Sequence, residues 1–181
     1  MRVTHAQEEL PSKWPALSLT AVGGLLRLLP HPPNLAPVGA MSLFAGANLN
    51  GWQAYLVPVL IMAITDPLIA KIGGFAPFSQ GTVFIYGSFL ISVWIGRHLR
   101  GTQSARRIGA AAFLCALQFY LISNFSTWLF GQMYPHTFAG LAACYVAALP
   151  FFGYTLIGNL FYSGFFFGAY FWLTRRQFAG A

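Results

Sequence analysis

Acidic residues are nearly absent. Glu8, Glu9 and Asp66 are the three acids, set against ten Lys and Arg, and charged residues make up only 7% of the 181. A soluble domain carries roughly 25%, so the deficit excludes an ordinary water-facing surface. Cysteine is scarce too. Cys115 and Cys144 lie in apolar stretches without CxxC spacing, which points to neither a disulfide framework nor a zinc site. No HExxH, GxSxG or similar chemistry-bearing motif occurs, so neither an enzyme nor a cofactor is expected. The polar opening MRVTHAQEELPSK does not read as a cleavable signal peptide.

What is present is apolar. Hydrophobic residues are 57% of the chain, more than a fold of this size can hide from water but a natural load for a bilayer. The net charge is +7. The cations sit in short links between apolar runs, as the charge asymmetry of a membrane demands, and not along a soluble face that would suit a nucleic acid. The lipid bilayer is therefore the expected partner, and nucleic acid is not.

A span needs about 20 apolar residues. Five runs qualify: Trp14–Pro30, Trp52–Ala70, Thr82–Leu99, Ile108–Phe130 and Tyr154–Thr174. Two shorter runs, Pro37–Leu49 and Phe138–Phe152, are marginal. Charge parity assigns them. Arg97, Arg100, Arg106 and Arg107 mark one cytoplasmic link, and Arg175 and Arg176 put the C-terminus on that side. Arg2 and Lys13 put the N-terminus there as well. The crossings between these markers must be even in number. Pro37–Leu49 then crosses as a short or tilted helix joined to the next by Asn50-Gly51, and Phe138–Phe152 stays outside. The expected fold is an all-α polytopic membrane bundle of six transmembrane helices. Both termini are cytoplasmic, and an extra short interfacial or re-entrant helix lies outside before the last span. The expected division is a cytoplasmic tail at 1–13, one transmembrane domain at 14–174 and a second tail at 175–181. The two halves show no repeat.

With this topology the chemically interesting side chains gather on the external side. Arg27 lies one turn before the end of the first span, ahead of Pro30-His31-Pro32-Pro33-Asn34, where the prolines stiffen the chain. Asp66, in Thr65-Asp66-Pro67, is an acid within a span, a position that costs about 2.5–3.5 kcal/mol at the bilayer centre unless a partner is found. Arg27 is the obvious partner, either as a structural lock or as part of a ligand site. Asn124 and Trp128 share a helix face, and Trp128 also suits the interfacial aromatic belt. Tyr134 and His136 fall in the long external link. Asn159 sits in the last span, where interhelical hydrogen bonding is its bland role. Gln80 and Tyr86 reach the same zone. His31, Asp66 and His136 would suit a metal chemically, but their spacing is too dispersed to assign one. Arg27, His31, Asn34, Asp66, Asn124, Trp128, Tyr134, His136 and Asn159 are the expected ligand-binding set, in an aromatic-walled external pocket.

Several stretches carry a resemblance: RLLPHPPNLAPVGAMSLFAGA (27–47), TDP (65–67), YGSFL (86–90), SNFSTWL (123–129), YPHTFAGLAACYVAALPFF (134–152) and GNLFYSGFFFGAY (158–170). They resemble a family of small, uncharacterised bacterial membrane proteins. That family's size and topology look like those of the substrate-binding S components of energy-coupling-factor (ECF) vitamin transporters. The resemblance implies the bacterial inner membrane, uptake of a small vitamin-like molecule, and ECF-type transmembrane and ATPase subunits as partners. By region it implicates His31, Asn34, Asn124, Tyr134, His136 and Asn159. The first helix departs from the pattern: it offers Thr20-xxx-Gly24 and Gly23-Gly24 but no AxxxA. The opening Met1-Arg2-Val3 lacks the Met-His arrangement of the metal-transporting subclass. Two alternatives stand beside uptake: a structural or accessory membrane subunit without ligand, and a membrane enzyme using His31, Asp66 and His136.

Overall fold

A computed structural model describes residues 13–178, with side chains described as far as Arg175. The rest of the expected N-terminal tail, with Arg2, Glu8 and Glu9, and the Arg176 side chain lie outside the described residues. Among the described residues the secondary structure is all helical. The order is α1 Trp14–Leu26, α2 Val38–Asn48, α3 Gln53–Gly73, α4 Thr82–Arg97, α5 Ala105–Phe130 and α6 Phe138–Phe178.

Turn chemistry sets the helix ends. α1 stops before the proline-rich link, with Arg27 as its C-cap residue. Asn34 takes φ 65, a left-handed conformation that Asn tolerates better than most residues. Asn50-Gly51 turns the chain between α2 and α3 as its sequence predicts, with Gly51 at φ 52. At the head of α5, Ser104 Oγ accepts from the Arg107 amide (3.4 Å). At the head of α6, Thr137 Oγ1 accepts from the Gly140 amide (3.1 Å). Both are N-caps of the usual residue type.

The outer surface is apolar. On α3, Leu56, Leu60, Ile64, Leu68 and Ile72 recur every fourth residue and all are exposed, Ile72 at 84%. Such a ridge is a liability in water and ordinary in lipid. Three helices are long and apolar enough to cross a membrane: Gln53–Gly73, Ala105–Phe130 and Phe138–Arg175. Trp14, Trp52, Trp94 and Trp172 are exposed near Lys13, Gly51, Arg97 and Arg175, where an interfacial belt would place them. The end that carries Lys13, Arg97 and Arg175 is the arginine end; the opposite one is the far end.

The core is α2. All ten residues from Val38 to Ala47 are buried, and a helix apolar on every face belongs inside. The other five helices pack around it. Two glycine contacts make this possible. A Cβ on Gly46 would strike the Val93 carbonyl of α4, and one on Gly96 would strike the Leu43 carbonyl of α2. Gly23 of α1 sits against Met41, and Gly24 against Ile61 of α3. The small residues of α1 are thus used within the chain. Phe44 is ringed by Phe166, Phe167 and Tyr170 at 5.4–5.8 Å.

The short external helix expected before the last span is corrected. Phe138–Phe152 and Tyr154–Thr174 are one continuous helix of 41 residues, about 60 Å long at 1.5 Å per residue. Pro150 and Gly153 suggest a break, but the proline forfeits only the bond to the Val146 carbonyl, and packed membrane helices tolerate that loss. The first third of α6 is a partner of α5, not a peripheral segment. Tyr120 donates to the Tyr145 carbonyl (2.6 Å), and Tyr145 donates to the Leu121 carbonyl (2.7 Å).

Candidate functional site

Three elements meet at the far end around one carboxylate. The Arg27 guanidinium, at the end of α1, donates to Asp66 Oδ1 on α3. Its other terminal nitrogen donates to Thr65 Oγ1 (2.6 Å). From α4, the Tyr86 hydroxyl donates to Asp66 Oδ2 (2.6 Å). Thr65 in turn donates back to the Ile61 carbonyl (2.8 Å). Both carboxylate oxygens therefore have partners. The side chains of Arg27 and Asp66 are only 17% and 14% exposed, so each charge depends on the other.

Beside this network lies a cavity of about 640 Å³ between α3, α4 and α5. Its wall is rich in oxygen. Asp66 and Tyr86 contribute from the network; Ser79, Gln80 and Thr82 come from the α3–α4 link and the start of α4; Ser123, Ser126 and Thr127 come from the end of α5. Ile85 and Phe130 supply apolar surface. Gly81 brings the start of α4 so close to Ser126 that a Cβ there would lie 2.7 Å from its hydroxyl. The volume suits a small molecule, for which pockets run from roughly 300 to 1,000 Å³. Asp66 is the one charged group on the wall, and Arg27 balances it from behind.

The expected binding set divides. Asp66 lines the cavity and Arg27 reaches it through Asp66. The others lie elsewhere. Asn124 donates to the Tyr120 carbonyl of its own helix (2.8 Å). Trp128 donates to the Pro135 carbonyl (3.0 Å), with His136 edge-on at 5.4 Å. That pair fastens the 131–137 link to α5. Tyr134 is half-buried on the same link. His31 stays on the proline loop, its Nδ1 3.2 Å from the Pro32 carbonyl oxygen, and Asn34 is exposed beside it. Asn159 is buried against Gly39, where a Cβ would strike its amide oxygen. Among the described residues no group of three His, Cys, Asp or Glu could hold a metal ion, so His31, Asp66 and His136 form no such set.

Sequence reasoning passed over the serine hydroxyls of the wall. Ser123, Ser126 and Thr127 occur at i, i+3 and i+4, which is one helix face. That spacing, next to an intramembrane acid, is the signal that could have found them.

Residues 8–180 match a family model whose description is "Family of unknown function (DUF6580)". The chain belongs to DUF6580. No curated protein and no solved structure matches it. The stretches quoted for the resemblance all fall inside the matched region of this DUF6580 chain, so the Arg27–Asp66–Tyr86 network lies within the family's extent.

Proposed function

We propose that this protein is a substrate-binding component for uptake across the bacterial inner membrane, taking a small polar, vitamin-like nutrient from the external face. The observation that carries this is the far-end cavity: about 640 Å³, walled by hydroxyls and one mostly buried carboxylate, at the end opposite Arg97, Arg100 and Arg175. In this reading all six helices cross the bilayer and both termini are cytoplasmic. The continuous α6 leaves the charge parity intact, because α5 and α6 still make two crossings between Arg107 and Arg175. A short α2 can cross because protein, not lipid, surrounds it. The size and helix number suit an S-like component, working alone or with ECF-type transmembrane and ATPase subunits.

The wall selects the chemistry. Serine and threonine hydroxyls both donate and accept, and Asp66 accepts. A neutral or cationic ligand bearing several donors fits; an anion would face Asp66. The expected binding residues are Asp66, Gln80, Tyr86, Ser123, Ser126 and Thr127, with Arg27 holding Asp66 in place. Of the set read from sequence, His31, Asn34, Asn124, Trp128, Tyr134, His136 and Asn159 lie off the cavity wall and would serve the links and helix packing of the bundle.

The test is native mass spectrometry of gently purified protein, with uptake assays in a deletion strain. A co-purifying small molecule that is lost in Ser126→Leu, where a bulky side chain fills the cavity, supports binding. A strain whose growth on every limiting vitamin is normal, with no adduct on the protein, would overturn it. The completeness of the Arg27–Asp66–Tyr86 pairing favours one other reading, an accessory subunit without ligand. That reading expects the second result.

A further inference from the structure

A second cavity lies at the arginine end. It holds about 890 Å³ between α2, α5 and α6, with Lys13 and Arg100 among its lining residues. Nothing in the proposed uptake site uses it.

Three independent features of this cavity point to one kind of occupant. The first is space left open by glycine. A Cβ added to Gly109, Gly164 or Gly168 would meet nothing within 4 Å. These glycines differ from Gly46 and Gly96, whose absent side chains admit a neighbouring helix. Phe167 and Phe171 line the same space, which is mostly apolar and follows α6 from Leu160 to Thr174, with Asn48, Asn50, Gln103 and Tyr170 adding polar groups.

The second is an orphan polar group in that apolar wall. Ser163 is 1% exposed, and its hydroxyl meets no hydrogen-bond partner among the described residues. A buried hydroxyl is almost always satisfied. Ser163 borders the cavity, and the acceptor its hydroxyl lacks is one that a ligand, such as an ester carbonyl, would supply.

The third is charge. Lys13 and Arg100 are exposed at the cavity. Asp66 is the one acid among the described residues, and it lies at the far end paired with Arg27. Arg100 spends one nitrogen on the Leu49 carbonyl (2.6 Å) and pairs with no acid among the described residues. Two cations thus stand over a largely apolar slot whose wall holds one buried hydroxyl without a partner among the described residues.

We propose that this cavity is a binding site for an anionic membrane phospholipid. The phosphate would be held by Lys13 and Arg100, the glycerol ester by Ser163, and an acyl chain by the open face of Gly164 and Gly168. A second protein helix is the other candidate for a glycine-lined groove. It would supply no anion for the two cations and no obligatory acceptor for Ser163.

The test uses the full-length protein, stripped of lipid in detergent and titrated with phosphatidylglycerol or phosphatidylcholine under native mass spectrometry. Each cation near a surface anion adds about a five-fold preference, so two give roughly thirty-fold in favour of phosphatidylglycerol. Lys13→Gln should reduce that preference about five-fold. Gly164→Leu and Gly168→Leu should cut retention of the bound lipid about ten-fold or more by filling the slot, while helix content and unfolding midpoint stay at least at wild-type level. Equal retention of the two lipids would overturn the proposal. So would full retention in both leucine variants. If Gly164→Leu dissociates a dimer and leaves lipid retention unchanged, the groove belongs to a second copy of the chain, and the proposal fails.

Discussion

Removing Asp66 and Arg27 together should cost no more than removing Asp66 alone. In the native chain the guanidinium of Arg27 has two partners, Asp66 and Thr65, and most of its side chain is out of solvent. Asp66→Ala leaves a buried cation with a single neutral hydroxyl. Breaking a buried pair from one side costs about 3–5 kcal/mol. Arg27→Ala strands the carboxylate instead, with only Tyr86 to stabilise it, and falls in the same range. The double variant has no charge to strand. It loses the packing and hydrogen bonds of the network but avoids the desolvation penalty, so its cost should be close to that of one single change. The coupling energy of the cycle is then about 3–5 kcal/mol, the cost of one single change. The assay is reversible unfolding in mixed micelles, followed by far-UV circular dichroism, on all four proteins. Additive losses, with a coupling below about 0.5 kcal/mol, would refute the argument. They would mean that water reaches the pair and that the fold does not depend on it.

Other expectations can be checked in the same preparations. Tyr86→Phe removes the donor to Asp66 Oδ2 and should cost about 1.5–3 kcal/mol, the range for a bond to a charged group; a smaller loss would mean that water replaces the hydroxyl. Gly46→Ala should destabilise by about 1–3 kcal/mol, because its Cβ meets the Val93 backbone. Gly164→Ala, with open space around it, should be neutral or stabilising by up to about 1 kcal/mol through helix propensity; the opposite order would falsify the packing assigned to α2. In intact cells a cysteine at Ser79 should react with an impermeant maleimide and one at Gln103 should not, while Cys115 and Cys144, both buried, stay unlabelled in the native protein.

The sequence carried the fold class and most helix positions because lipid imposes a simple rule: long apolar runs become helices. It missed that one helix runs on from Phe138 through Pro150 and Gly153, because these residues break helices in water and not in a packed bundle. It treated Arg97 and Arg100 as topology markers alone. In the fold they also donate to the Gly51 and Leu49 carbonyls at the end of α2, a use that depends on which helices become neighbours. Arg27 and Asp66 were legible as a pair because an unpaired ion in a span is so costly. The scatter of Asn124, Trp128 and Asn159 was not legible. Depth in the membrane can be read from position in a run, but rotation about the helix axis is set by packing, and these three face neighbouring segments of the chain itself.

The buried α2 bears on the order in which the protein is made. Eleven residues span about 17 Å, against a hydrocarbon layer of roughly 30 Å. Emerging from the ribosome, this segment could not reach both head-group layers, and the carbonyls at its end would have nothing to meet. Arg100, which meets one of them, lies 51 residues further along the chain, and Phe166, which packs on Phe44, is the product of a still later stage. The surroundings of the second helix to be synthesised are therefore complete only when the last, α6, has been made. In the proposed topology the centre of the bundle forms only after the C-terminal half of the chain has been made.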